Sequence, residues 1–526
     1  MFHFVIFAHS PLTLPRIPLY TTHKKSVALP RISLALLFIG LCFANTSFGV
    51  EMQGTPQRND LLQIPRIMED ILTLSSPRLQ GRQAGTPGGE QAANFVAQRF
   101  HTLGLHPLFD ADQGTHPGQW RQQSSVTASQ LLGPAHVAFF PIGGSNTHHP
   151  PLLAIPGRDF LPILDSPSVN LTAPVVFVGY GIVDPARGMD DYRGVNVQNR
   201  IVIALRGKPP TYGPWITHEE KAQTAKDHGA AGFITFTGPI LNRYESRKGL
   251  GQTPMAIYSA NPESRPIPGV WLDGKRGEDL FQAIGLSLQH MQLSLNEQHA
   301  AITQNLPLIA HLQWNIQTVP GTLTNVLGVL PGKDAGHQNE VIIVGAHRDH
   351  FGEQAGLQFP GADDNASGTA VMLELARVFS QDAISPKRSI LFVSFDGEER
   401  GLLGSNLYVN HPALPLGKTV AMINLDHLGV GNGKLTVGIT RMDKALVQQA
   451  AEHAGLPDQI QIYGYFPGGD HVPFYEVGVP TVTVVSSGTH PNFHQPSDTA
   501  ETIQPEILET STKFLVSLIA LLANHP

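Results

Sequence analysis

Val341-Ile342-Ile343-Val344-Gly345-Ala346-His347-Arg348-Asp349 is an apolar run that ends in an imidazole and a carboxylate. Ile390-Leu391-Phe392-Val393, Val420-Ala421-Met422-Ile423 and Thr481-Val482-Thr483-Val484-Val485 repeat the pattern, with helical segments between them. Continuous apolar runs, rather than alternating ones, suit strands buried on both faces. The spacing therefore predicts an α/β fold from about residue 325 onward: a mixed, mostly parallel sheet with helices on both faces. Pro505 to Leu522 places Ile507, Leu508, Leu515, Leu518, Ile519 and Leu522 on one face, as a docked C-terminal helix does.

Upstream, Val175–Val178, Ile201–Leu205, a helical stretch from Glu219 to His228 and Ala231–Phe236 give the order β, β, helix, β, a β-rich α+β module of its own. Residues 60–105 read as helical with a break at Leu79–Thr86; Ala92, Val96, Phe100 and Leu103 form one stripe that Gly104 ends. Residues 106–170, rich in Pro, Gly, His and Gln, show no clean period. The expected organisation is a signal peptide over 1–49, an N-terminal part of the catalytic domain over 50–120, an insert over 121–308 with its core near 170–260, and the remaining catalytic domain over 309–526.

The 526 residues carry 35 basic and 42 acidic side chains, for a formal charge of −7. That balance argues against nucleic acid or anionic lipid as the main partner. Cys42 is the single cysteine, which excludes an intrachain disulfide and a zinc site built from several thiolates. Lys24, Lys25 and Arg31 precede the apolar run Ile32–Phe43, and small residues follow at Ser47 and Gly49. This order reads as an export signal cut after Gly49, with a run too short to span a bilayer. The expected destination is the periplasm or the cell exterior, with no stable membrane span after cleavage.

No serine sits in G-x-S-x-G, His218-Glu219-Glu220 lacks the second His of H-E-x-x-H, and Gly417-Lys418-Thr419 lacks the upstream glycine of a P-loop. What remains is metal-ligand chemistry at successive strand ends: His347 and Asp349, Glu398 and Glu399, Asp426, and His494 after a Gly/Pro-rich loop. Carboxyl ends of strands form the ligand crevice in open α/β sheets, so these groups should converge. The acidic loop Gly361–Gly368 precedes a helix and can aim a carboxylate into the same place. Imidazoles and carboxylates without sulfur suit zinc, and less often manganese or cobalt. Asp364, Glu399 and Asp426 together with one hydroxide would balance two divalent cations. His347 and Asp349, two residues apart on extended chain, leave on the same side, so the carboxylate can hydrogen-bond the second ring nitrogen. Glu398 and Glu399 must point apart, so one can ligate while the other carries a proton.

Gly345–Gly352, Gly361–Gly368, Asp396–Gly401, Asn424-Leu425-Asp426 and Phe493–Thr499 together resemble the zinc-dependent exopeptidase family of bacterial secreted aminopeptidases, whose relatives include glutamate carboxypeptidase and transferrin receptor. The resemblance covers about 320–526, and Leu79-Gln80-Gly81-Arg82 with the following helix looks like that family's N-terminal segment. It implies two Zn2+ ions bridged by Asp364, one also held by His347 and Asp426, the other by Glu399 and His494. It further implies a metal-bridging hydroxide as nucleophile, Glu398 as general base, Asp349 as the acid that orients a ligand, and a cis Asp364–Asn365 peptide. Peptides would be the substrates, cleaved from the amino end; carboxypeptidase, glutaminyl cyclase or a receptor-like binding protein that has lost catalysis are the alternatives on the same fold. Phe493 stands where some relatives carry Tyr, and Gly469-Asp470-His471 looks like a substrate-pocket motif, making Asp470, His471 and Phe493 candidate substrate contacts. His350, His427 and His471 are expected to support or pack rather than ligate. Val178–Ile182, Asp190-Asp191-Tyr192, Ile201–Gly207 and His228–Gly232 resemble a protease-associated (PA) domain.

Overall fold

Alternate residues of each apolar run face opposite layers. Ile342 and Val344 of strand Val341–His347 pack among residues of helices Ile64–Leu74, Pro87–Thr102, Gly368–Ser380 and Pro505–Asn524, whereas Val341 and Ile343 pack with Tyr408 and Phe474 of helices Leu403–Asn410 and His471–Glu476. Two-sided burial is why the run shows no polar alternation. The computed structural model describes residues 61–108, 120–142, 150–214, 216–241, 253–258, 267–298, 302–337, 339–381 and 385–525; the expected export signal and Cys42 lie outside them. Among the described residues no helix is long and apolar enough to cross a membrane.

Strands Val341–His347, Ser389–Phe395, Thr419–Leu425 and Thr481–Ser486 run parallel, with His347 level with Phe395 and Leu425 level with Val484. Their carboxyl ends consequently share one edge. Leu435–Thr440 adds antiparallel to Thr481–Ser486, and Ile460–Tyr463 follows it, which makes the sheet mixed.

A long antiparallel ribbon links this sheet to the upstream module. Arg121–Pro141 pairs with Thr303–Leu330 from Arg121 opposite Val326 to Pro141 opposite Leu308, with one irregularity between Leu132 and His136. Strand Thr303–Leu330 also pairs with Ser389–Phe395 through Val326–Leu330 and with Val169–Val178 through its first half. One strand thus belongs to both halves of a continuous 14-stranded sheet. Beyond it Val169–Val178, Ile201–Leu205, Gly232–Phe236 and Gly269–Leu272 are parallel neighbours. Helix His218–Asp227, opened by a capping box of Thr217 and Glu220, covers one face, and Gly274–Ala283 with Leu288–Gln298 covers the other. The β, β, helix, β order is present, while the ribbon strand 121–141 falls where no period is readable: its outward residues are exposed and Gly133-Pro134 interrupts it.

Candidate metal centre

The turn Ala362–Ser367 brings Asp364 to the shared strand edge. Gly361 adopts φ +57°, and a Cβ there would stand 2.3 Å from the Asp364 carbonyl oxygen and 2.5 Å from the His350 ring, so glycine is required. The Asp364–Asn365 peptide is cis. Asn365 Nδ2 donates to the Leu425 carbonyl at 2.8 Å, and the Asp498 carboxylate accepts the backbone N–H groups of Asp363 and Asp364 at 2.9 and 3.1 Å.

Held this way, Asp364 turns its two oxygens to two different histidines. Oδ1 is 3.4 Å from His347 Nε2, which is also 3.4 Å from Asp426 Oδ1; Oδ2 is 3.0 Å from His494 Nε2, which is 3.4 Å from Glu399 Oε2. Ligands about 2.0–2.1 Å from a tetrahedral zinc stand roughly 3.4 Å apart, so each trio has the spacing of a single ion's ligand set. Asp426 Oδ1 is buried and makes no hydrogen bond among the described residues, as a group reserved for a cation would. The donor set, imidazole and carboxylate only, fits zinc. All five expected ligand residues meet here.

Asp349 lies behind them. Its carboxylate accepts the backbone N–H groups of Glu398 at 3.0 Å and Glu399 at 3.4 Å, while its Oδ1 is 3.7 Å from His347 Nδ1. It therefore fixes the backbone that carries the two glutamates, and the direct imidazole bond expected from the sequence is replaced by a contact of His347 Nδ1 with the Asp349 carbonyl at 3.3 Å. His350 Nδ1 meets Glu399 Oε1 at 2.7 Å, which turns Oε2 of the same carboxylate to His494. His494 is itself held from the upstream module: its Nδ1 donates to the Ala256 carbonyl at 3.0 Å, and the Ala256 N–H donates to the His494 carbonyl at 2.9 Å. This is the tautomer that leaves Nε2 open as a ligand. Fully buried Arg82 ties the loops together through the carbonyls of Leu74, Arg348, Pro360 and Gly361 at 2.5 to 2.8 Å.

Burial raises the Glu398 carboxyl well above its ordinary range, reinforced by Asp470, Asp426 and Asp349 against the opposing influence of His347. Glu399 is raised in the same way by burial, Asp364 and Glu398. Burial lowers the His427 imidazole, yet Asp364, Asp426 and Asp363 outweigh it and hold the ring up at about 10. The crevice is short of positive charge.

Of the candidate substrate contacts, Asp470 is wholly buried, with burial pushing its carboxyl up to about 7, and His471 Nε2 donates to the Phe466 carbonyl at 2.8 Å. Phe493 stacks on His494 with ring centroids 3.7 Å apart. Asp498, His350 and Arg82 lie inside motifs readable in the sequence, but their partners are largely backbone atoms, which no motif spells out. The Ala256 carbonyl has no sequence signal at all.

The Peptidase family M28 model matches residues 325–519, and the PA domain model matches residues 171–280. Aminopeptidase YwaD of Bacillus subtilis is 27% identical over 383 residues, covering 70% of this chain and 71% of that protein. A probable glutamate carboxypeptidase of Zea mays, VP8, is 29% identical over 457 residues, covering 79% of this chain and 60% of its own length. The solved aminopeptidase from Aneurinibacillus sp. strain AM-1 superimposes with a TM-score of 0.61 at 21% identity, over 89% of this chain and 96% of that one, a likeness of fold. With the motifs of the strand ends and the upstream module both matched, residues 325–519 match the Peptidase family M28 model and follow a PA domain over residues 171–280.

Proposed function

We propose that this zinc-dependent M28 peptidase is an exported aminopeptidase that works with a pair of zinc ions. The observation that carries the reading is the Asp364 carboxylate, whose two oxygens face two separate histidine–carboxylate sets while Glu398 stands free of both. His347 and Asp426 would hold one ion and Glu399 and His494 the other. Zinc bound there supplies Lewis-acid polarisation of the scissile carbonyl and a lowered pKa for the attacking water. Glu398 takes the proton of that water as the C–O bond forms, then returns it to the leaving amine as the C–N bond breaks. Asp349 keeps Glu398 in reach by holding its backbone N–H. Phe493 has no hydroxyl to offer the carbonyl oxygen.

The aminopeptidase assignment draws support from YwaD, named an aminopeptidase, over most of both chains. Export draws support from the basic, apolar and small residues in order between Lys24 and Gly49. Purified protein should hydrolyse aminoacyl reporter amides with a free α-amine and lose that activity to a zinc chelator. Exclusive activity on free-carboxylate substrates, or none on any peptide amide, contradicts the reading. Recovery of the protein in the cytoplasmic fraction at full length contradicts export.

A further inference from the structure

Behind the five ligands lies a second convergence of metal-binding atoms. Asp363, His427 and His490 line a cavity of ≈ 10 Å³, next to Asp364 and with Val430, Phe493 and Asp498 as further walls. Such a volume holds about one water or one ion. Each of the three residues has its other polar atom engaged elsewhere. Asp363 Oδ1 accepts the Gly429 N–H at 2.8 Å. His490 Nε2 is 3.2 Å from the Ser486 carbonyl, an atom that only accepts, so this nitrogen carries the hydrogen. His427 Nε2 faces the carboxylates of Asp364 and Asp426 at 3.7 Å each. What remains is Asp363 Oδ2, 2.6 Å from His490 Nδ1 and 3.5 Å from His427 Nδ1, with the last atom buried and making no hydrogen bond among the described residues. The three side chains are 6, 12 and 7% exposed for Asp363, His427 and His490.

We propose that Asp363, His427 and His490 form an auxiliary site for a third divalent transition-metal ion of the zinc class, separate from the pair bridged by Asp364. Two imidazole nitrogens and one carboxylate oxygen, with the far nitrogen of each ring directed at a carbonyl or carboxylate, are the inner and outer partners that structural and catalytic zinc both use. The ion would tie the loop before helix Gly368–Ser380 to the segment after Asp426 and to the loop that leads to His494, bracing three ligands of the pair from behind. The alternative occupants of the same geometry are protons: two imidazoliums sharing Asp363.

The test is a count of zinc per chain by elemental mass spectrometry, on full-length protein equilibrated in a zinc buffer that keeps free zinc below surface-site affinities. The wild type should hold three ions. His490→Ala should hold two, and so should His490→Asn, which leaves an amide facing Asp363 and guards against simple misfolding. A wild-type count of two, unchanged in both variants, overturns the auxiliary site and leaves the pair intact. A count of three in wild type and variants alike also overturns it, since the third ion is then elsewhere. A wild-type count of one or none contradicts the pair as well, so the two failures read differently.

Discussion

Asp364 and Glu398 separate the two tasks that one acidic cluster performs. Asp364 is oriented by three hydrogen bonds, two from backbone N–H groups to the Asp498 carboxylate and one from the Asn365 amide to the Leu425 carbonyl, and its role is to be immobile. Among the described residues Glu398 is held through its backbone N–H and makes no side-chain hydrogen bond, as the proposed proton carrier requires. Glu398→Gln is therefore expected to keep its zinc while turnover on an aminoacyl amide falls about 10²–10⁴-fold, the usual contribution of a general base. Asp364→Ala should lose zinc, as measured by elemental analysis, because both histidine sets depend on its oxygens. Normal turnover in either variant contradicts these roles. His347, Asp426 and Glu399 were readable because each stands at or just after the end of an apolar run, whereas Asp364 and His494 sit on loops and were placed by their motifs. The part played by Asp349 was readable only in outline: its position two residues after His347 is visible in sequence, whereas its bonds to the Glu398 and Glu399 backbone depend on a turn 49 residues away.

Segments rather than single side chains fix the outer half of the site. Residues 253–258 of the PA module reach across to His494, a proposed zinc ligand, through the paired Ala256 bonds. They are anchored further by Tyr258, whose hydroxyl accepts from Gln83 Nε2 at 2.9 Å and whose ring stacks on Phe351 at 5.3 Å. Ala256→Pro removes the N–H that holds the His494 backbone, and with it the pairing that keeps the Ala256 carbonyl on His494 Nδ1. Loss of an outer partner of a metal-ligating histidine typically costs 10–100-fold in metal affinity, and zinc competition with a chromophoric chelator should show a weakening of about that size. Unaltered affinity would mean that the loop holds His494 without help from the PA module. Within the same module Asp191 is buried, and burial raises its carboxyl to about 6 against the opposing bond from the Ile182 N–H and the nearby Lys221. An acid raised in the folded state binds more protons folded than unfolded, so the contribution of Asp191 to stability is greatest below about pH 4 and falls as pH rises toward 6. Asp191→Asn should flatten the melting temperature between pH 4 and 6; an unchanged pH profile would show that Asp191 is not the source of the slope. Element types in this module were legible because Ile201–Leu205 and Gly232–Phe236 are short, fully buried runs.

Across the whole molecule, strand Thr303–Leu330 makes the peptidase sheet and the PA module one continuous structure, pairing with Ser389–Phe395 at one end and Val169–Val178 at the other. The α/β character of the peptidase half was legible from its two-sided strands. The ribbon was not, because Arg121–Pro141 mixes exposed and buried residues in no regular alternation and its partner lies some 170 to 200 residues later, so neither period nor local turn chemistry announces it. The same ribbon explains how a module remote in sequence delivers Ala256 to the strand edge that carries His347, Glu399 and Asp426. The proposed centre holds two ions at this edge, one on either side of Asp364. Anomalous diffraction at the zinc edge from crystals of the zinc-loaded protein tests that directly. Two peaks about 3.5–4 Å apart should flank the Asp364 carboxylate, one against His347 and Asp426 and the other against Glu399 and His494; a single peak, or none within reach of Asp364, would contradict it.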